Sequence, residues 1–415
     1  MNNHDASRRL SPALATLTLL IGLNLLNYID RYILSGEVQP VQAEFHATDQ
    51  QMGMLATALF VVYMLVSPLT GWLGNRARRK PLIIAGAVLW SLATLATVWV
   101  HSYWTFYLRQ AFVGIGEATF GIFAPSVLAD FYPERERNRI LSIFYVAIPV
   151  GAALGYLAGG VMGSLWGWRA PFFLCALPGF VVAALYGLWG HEPERGACDH
   201  IASTVHRSTF FGLFRNPAYL AAAFGLAALT FAMGGISWWM PEFLRRYAGL
   251  SMGSASLAVG AITVVDGIGG TLVGGWLAQR WLGTNHRALY LLSFWSVVLT
   301  LPFGLMVFFG PPRMALPSLF LAEFFLFLNT GPLNTALVNA VTAPIRAAAV
   351  GVNFFIIHCF GDTFSPQIIG AISDRLGSLR TALGATLVAM LISAVILWLG
   401  SRVAPPLEEP SEGAA

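Results

Sequence analysis

The sequence predicts an all-α membrane protein, with twelve transmembrane helices in two parallel six-helix bundles and both termini cytoplasmic. Three observations lead there. Of 415 residues, 56% are hydrophobic and only 11% charged, against roughly 25% charged in a soluble domain. The apolar residues gather in about twelve continuous stretches, each long enough for the 20 or so residues that a bilayer core requires. Finally, Gly71-Trp72-Leu73-Gly74-Asn75-Arg76 returns 204 positions later as Gly275-Trp276-Leu277-Ala278-Gln279-Arg280. Two halves of similar build therefore run in the same orientation.

Taken in order, the stretches fall near 13–35, 51–74, 81–100, 104–130, 140–163 and 170–190 in the first half. The second half holds 217–243, 253–279, 288–309, 315–341, 347–372 and 380–401. Their continuity argues against a β-barrel, whose strands alternate. The first stretch has no small-residue cleavage site and is read as a retained span. This divides the chain into a bundle at 1–190, a cytoplasmic linker at 191–216, a bundle at 217–402 and a disordered Pro- and Glu-containing tail at 403–415. With the N-terminus cytoplasmic, sixteen Lys and Arg residues lie inside and six outside, as the positive-inside rule requires. The basic balance thus reflects loop bias and does not argue for nucleic acid. No Asn-x-Ser/Thr acceptor occurs, which suits a bacterial inner-membrane location.

Two arginines, Arg31 and Arg109, fall inside spans, with Asp30, Glu117, Asp266, Glu323, His358 and Asp362. An ionisable group at mid-bilayer costs at least about 2.5–3.5 kcal/mol, so it faces a partner or a cavity. Asp30 lies about 9 Å outward of the middle of span 1, and Arg109 about 10 Å outward of the middle of span 4. Glu117 sits near the midplane, two turns from Arg109. Asp30 and Arg31 are adjacent and point about 100° apart, so they cannot share one partner, and Arg31 is placed to snorkel outward. His358 and Asp362 are four apart on one helical face, where either a second proton site or a hydrogen-bonded pair fits. Cys175, Cys198 and Cys359 show no metal or disulfide spacing. No metal-ligand cluster and no phosphate-binding loop of the Walker type is present. The chain is therefore read as neither an enzyme nor an ATP-driven pump, and no cofactor is expected.

The turn Gly71-Trp-Leu-Gly-Asn75-Arg76-Ala-Arg-Arg79-Lys80 resembles the loop motif between helices 2 and 3 of the major facilitator superfamily. That family places an Asp where this chain has Asn75 and, in the second half, Gln279. The family's Asp pairs across the halves and supports the outward-open state, so its loss implies a lean toward inward-open. Arg109-Gln-Ala-Phe-Val-Gly114-Ile-Gly116-Glu117 resembles a second motif of that superfamily. The run Asn27-Tyr28-Ile29-Asp30-Arg31-Tyr32, the segment Pro133 to Arg139, and Pro149 with Gly151, Gly155 and Gly159 narrow the resemblance to spinster-family transporters. The three glycines line one face for close helix approach, and Pro149 permits a bend.

The resemblance implies a secondary active transporter that moves a lysophospholipid or sphingosine-1-phosphate-like amphiphile by alternating access. It also makes spans 1 and 4 neighbours, so that Asp30 and Arg109 are expected to meet. Asp30 and Glu117 are then proton carriers. Arg109 is a gate or phosphate anchor, because its planar fork binds phosphate bidentately. A fixed interhelical ion pair is the competing reading of the same residues. Arg31, Asn27, Tyr28, Trp238, His358 and Asp362 are further candidates for substrate contact or gating, and Gly71, Asn75, Arg76 and Arg79 for conformational control. For Trp238 a place in the interfacial aromatic belt is the stronger reading. The expected partners are an amphipathic anionic substrate, protons and the bilayer, with a monomeric chain. An exporter of drugs or small organic anions on the same fold is the alternative.

Overall fold

The computed structural model describes residues 11–74, 77–132, 140–141, 143–194, 212–341 and 346–405. Among these there is no strand. Among the described residues eleven helical segments are long and apolar enough to cross a membrane.

In the first half these are built from α1 (Pro12–Ile33), α3 (Asp49–Gly74), α4 (Arg79–Ala96), α5 (Tyr103–Phe131), the segment that includes α6 (Ala147–Leu157) and α7 (Gly163–Trp166), and α8 (Ala170–Trp189). A short helix, α2 (Val38–Phe45), interrupts the connection from α1 to α3. The second half contains α9 (Pro217–Tyr247), α10 (Met252–Leu282), α11 (Ala288–Phe309), α12 (Ala315–Phe327), α13 (Thr330–Asn339), α14 (Arg346–Ile357), α15 (Ser365–Leu376) and α16 (Leu379–Arg402).

Local chemistry explains several helix starts. Ser11 accepts a hydrogen bond from the Leu14 amide, with Pro12 in the first turn. Ser102 and Thr105 form a reciprocal capping box. Ser378 accepts from the Thr381 amide. The helix flanks expose large apolar residues such as Leu65, Leu92, Leu188 and Leu272, a surface suited to lipid rather than water.

The expected eleventh stretch, 347–372, does not form one continuous helix. It is α14, a π-helical turn at His358–Asp362, and α15. Gly361 leaves helical geometry there, at φ −107 and ψ −110. A Cβ on Gly361 would stand 2.9 Å from Thr230 Cβ and 3.0 Å from the Ala227 carbonyl. Close approach to α9 therefore requires glycine, and the helix opens around it.

By contact clustering the chain divides into two compact units. The first is Met1–Ala202, Met240–Arg245 and Leu250–Gly260; the second is Ser203–Trp239, Arg246–Gly249 and Ala261–Ala415. The expected linker at 191–216 lies largely outside the described residues, as does most of the tail after 405.

The core of the first unit includes Leu20, Leu23, Ile83, Trp90, Phe120 and Phe144. Its α1 is held against α6 by the small-residue face. A Cβ on Gly151 would stand 2.6 Å from Tyr28 Cβ, and one on Gly155 would stand 2.8 Å from Tyr32 Cβ. With Tyr28 and Tyr32 directed at α6, Asp30 and Arg31 are turned toward α4 and α5. Pro149 follows an interruption of the span Ile143–Trp166 at Val146, just before α6, where its missing N–H leaves a backbone bond unmade. A second irregularity lies further on, at the π-helical turn Ala158–Met162.

The second unit is tied by buried hydroxyls. Tyr290 donates to the Ala218 carbonyl at 2.8 Å, Tyr219 to the Ala349 carbonyl at 2.7 Å, and Ser393 to the Gly225 carbonyl at 2.8 Å.

Candidate functional site

The chemistry-bearing residues of the first unit converge between α1, α3, α4 and α5. Asp30 is buried and meets Arg109 Nη2 at 3.3 Å through Oδ1. Its other oxygen accepts from Thr94 Oγ1 at 2.5 Å. Arg109 also donates to the Ala93 carbonyl at 3.0 Å and to Gln110 Oε1. Its guanidinium lies 5.0 Å from the centre of the Phe172 ring. Both charges are thus fully engaged, which is the condition for tolerating them away from water.

The second pair overturns the snorkelling expectation for Arg31. Arg31 meets Glu117 Oε2 through Nη2 at 2.5 Å and Nε at 3.1 Å. Its guanidinium rests 4.9 Å from the Tyr28 ring centre, 5.3 Å from Phe60 and 5.8 Å from Tyr63. Adjacent residues on α1 do point apart, but each finds its own partner on α5. Arg109 and Glu117 are eight residues apart, about 12 Å along the helix, so one pair sits above the other.

The two pairs differ in saturation. Glu117 Oε1 is buried with no hydrogen-bond partner, and so is Asn27 Nδ2, one turn before Arg31. A buried polar atom left unpaired costs about 1–3 kcal/mol, so this layer has unused capacity to bind. Among the described residues no three His, Cys, Asp or Glu side chains converge as a metal site would require.

Comparison with known proteins supplies the family. The Major Facilitator Superfamily profile matches residues 20–366. Human protein spinster homolog 1 is 32% identical over 394 residues, covering 88% of this chain and 74% of its own. The sphingosine-1-phosphate transporter SPNS2 of Danio rerio is 30% identical over 397 residues, covering 90% and 78%. The chain belongs to the spinster family of the major facilitator superfamily. Its fold matches a bacterial homolog of the human lysosomal transporter spinster, in an inward-facing and unoccupied conformation. The TM-score is 0.85 at 23% identity, with 95% of this chain and 98% of that chain covered. The D-xylose-proton symporter shares the fold at a TM-score of 0.73, 16% identity and 92% and 97% coverage. This spinster-family chain is therefore a multi-pass membrane transporter and not an enzyme.

The remaining predicted residues fall elsewhere. Arg79 opens α4 and meets Asp130 at 2.6 Å and Glu192 at 3.4 Å, all within the first unit. Glu192 also accepts from the Arg79 and Lys80 amides at 2.7 and 3.1 Å, capping α4 from a distant point in the sequence. Burial works to raise the Glu192 carboxyl, but those amides and the Arg79 guanidinium outweigh it and hold the group below its ordinary value. Asn75 and Arg76 lie outside the described residues. Gly71 lies in the last turns of α3.

In the second unit His358 Nδ1 and Asp362 Oδ1 are 2.9 Å apart across the π-helical turn, and the imidazole stacks on Phe354. Trp238 and Trp239 are both buried, which removes them from an exposed interfacial belt. Trp239 Nε1 donates to the Pro366 carbonyl at 2.9 Å, whereas Trp238 Nε1 has no partner.

The sequence reading missed Thr94, Gln110, Phe60 and Tyr63 around the ion pairs. A polar Thr and Gln within apolar spans were the available signal. It also missed Glu37, which follows the first span and lies before α2. Its side chain is 2% exposed, makes no hydrogen bond or ion pair, and leaves Oε1 buried. It packs directly onto Gly163, where a Cβ would overlap the carboxyl. Burial pushes this carboxyl up to about 9.

Proposed function

We propose that this protein carries a lysolipid or a related amphipathic anion across the membrane by alternating access, with the movement coupled to protons. The working form is a monomer in a bacterial inner membrane. It has six-helix bundles at 1–190 and 217–402 joined by a cytoplasmic linker, and both termini are cytoplasmic. The observation that carries the reading is the stacked arrangement of Asp30–Arg109 and Arg31–Glu117, in which one oxygen of Glu117 is unused.

In this reading an anionic headgroup competes with Glu117 for Arg31. When Arg31 turns to the headgroup, Glu117 loses its counter-charge in a low-dielectric site and takes a proton to stay there. Release of the substrate returns Arg31 and expels the proton. Asn27 Nδ2 adds a donor on the headgroup side. The rings of Tyr28, Phe60 and Tyr63 give Arg31 an apolar, cation-stabilising seat in either position. Asp30 has both oxygens engaged, one of them by Arg109, which makes Arg109 the gate. The name of the Danio rerio relative, a sphingosine-1-phosphate transporter, supports a phosphate head with a single long chain.

The test is flux of a labelled lysophospholipid in proteoliposomes with and without an imposed pH gradient, for the native chain and Glu117→Gln. Gradient-driven flux that disappears in the variant is the expected result. Flux indifferent to both changes would leave a facilitator with a structural Glu117. No lysolipid flux under any condition would refute the lipid reading and favour drugs or small organic anions.

A further inference from the structure

The second unit holds two acidic side chains that the first-unit mechanism does not use. Asp266 lies at the middle of α10 and Glu323 within α12. The two helices pack along one seam that places these residues together. Thr263 Oγ1, one turn before Asp266, donates to Glu323 Oε2 at 3.1 Å. Gly270, one turn after Asp266, faces Phe324, whose carbonyl would stand 2.7 Å from a Cβ at that position. Asp266 is bracketed by these two contacts on the same helical face, and its charge acts on Glu323.

Among the described residues neither carboxyl forms an ion pair. Asp266 is 0% exposed, and both of its carboxylate oxygens are buried without a hydrogen-bond partner. What the α10–α12 seam sets beside Glu323 is Thr263 and, one turn on, Asp266. The helix packed behind them, α11, offers neutral hydroxyls already in use. Ser296 donates to the Phe325 carbonyl at 2.6 Å and Thr300 to the Ser296 carbonyl at 2.9 Å. Two uncompensated negative charges inside membrane-spanning helices are costly and would repel one another. A positive occupant has to remove that cost. A metal ion would need more oxygen ligands than two carboxyls and one hydroxyl. An organic ammonium would need space that a fully buried Asp266 does not provide. The occupant that needs neither is a proton.

We propose that Asp266 and Glu323 form a proton-binding carboxyl pair in the second unit, separate from the ion pairs around Glu117. The step is protonation of a carboxylate oxygen by water reaching the α10–α12 seam, with the proton returned to water by the same route. The pair titrates as a unit, because ionising one acid makes the other harder to ionise. The inference does not require lipid flux to be the protein's activity.

The experiment is infrared difference spectroscopy of the purified full-length protein across a pH titration in sodium-free buffer. It uses an Asp30→Asn/Glu37→Gln/Glu117→Gln background, which removes the acids of the first-unit ion pairs and the buried Glu37 carboxyl. The expected result is a protonated-carboxyl band that each of Asp266→Asn and Glu323→Gln reduces and that the double variant abolishes. Glu323→Asp, which keeps a carboxyl, should restore the band at a shifted position. Native-like size-exclusion and tryptophan fluorescence profiles show that the variants are folded. An unchanged band in a folded double variant would overturn the proposal. So would a spectrum that responds to added sodium at fixed pH but not to pH.

Discussion

Replacing Glu37 by Gln should make the protein more stable at alkaline pH and leave it nearly unchanged in acid. The ordinary carboxyl value is 4.5 and burial raises Glu37 to about 9, so the folded protein holds this proton far more tightly than the unfolded chain does. A raised folded-state value means stability is fully present below the unfolded value and is lost as pH rises toward 9. The difference of about 4.5 units, at about 1.4 kcal/mol each, gives a ceiling of about 6 kcal/mol. Water reaching a carboxyl at the end of a span reduces that to about 2–4 kcal/mol. Gln is isosteric with the protonated acid and cannot ionise, so it escapes the loss. The assay is thermal unfolding in detergent, followed by tryptophan fluorescence between pH 5 and 9. The native melting temperature should fall across that range relative to the variant, with the two curves meeting near pH 5. Parallel curves would refute the reasoning, as would a variant less stable than the native chain at pH 9.

Three further outcomes are expected. Arg31→Ala should cost about 3–5 kcal/mol, because it strands Glu117 as a buried unpaired charge; the double variant with Glu117→Gln should regain part of that, as read by melting temperature. Glu192→Gln should weaken the start of α4 by about 1–2 kcal/mol at neutral pH. Because the Glu192 value is lowered, native stability should be lost as pH falls through the acidic carboxylate range, and the difference from the variant should close there. Asn75→Asp should restore a charge-assisted contact worth about 1–2 kcal/mol and shift inward/outward accessibility about tenfold toward outward-open, measured by cysteine labelling from each side. Unchanged labelling would show that Asn75 does not set the balance.

The membrane-spanning helices were legible in the sequence because the bilayer imposes a length and an apolarity that any stretch must meet locally. The span expected at 104–130 is the helix Tyr103–Phe131, and 380–401 is Leu379–Arg402. The break at Gly361 was not legible, since it follows from how closely α9 approaches rather than from the local residues. Charge positions were equally plain, and Asp30 and Arg109 meet as their depths require. Partner choice was not. Gly151 and Gly155 draw the Tyr28 and Tyr32 face of α1 onto α6, which turns Asp30 on the opposite face toward α4 and α5; Arg31 lies beside Tyr28 at the edge of the seam and reaches Glu117 across that ring. Glu37 carried no signal in the sequence, and Asp266, marked there as an ionisable residue inside a span, was expected to face a partner or a cavity; packing leaves Glu37 Oε1 and both Asp266 oxygens without a hydrogen bond. Apolar length and charge position are properties of one segment and can be read from it. Which charge meets which, and which is left alone, depends on the rotation of one helix against another, and only the assembled structure decides that.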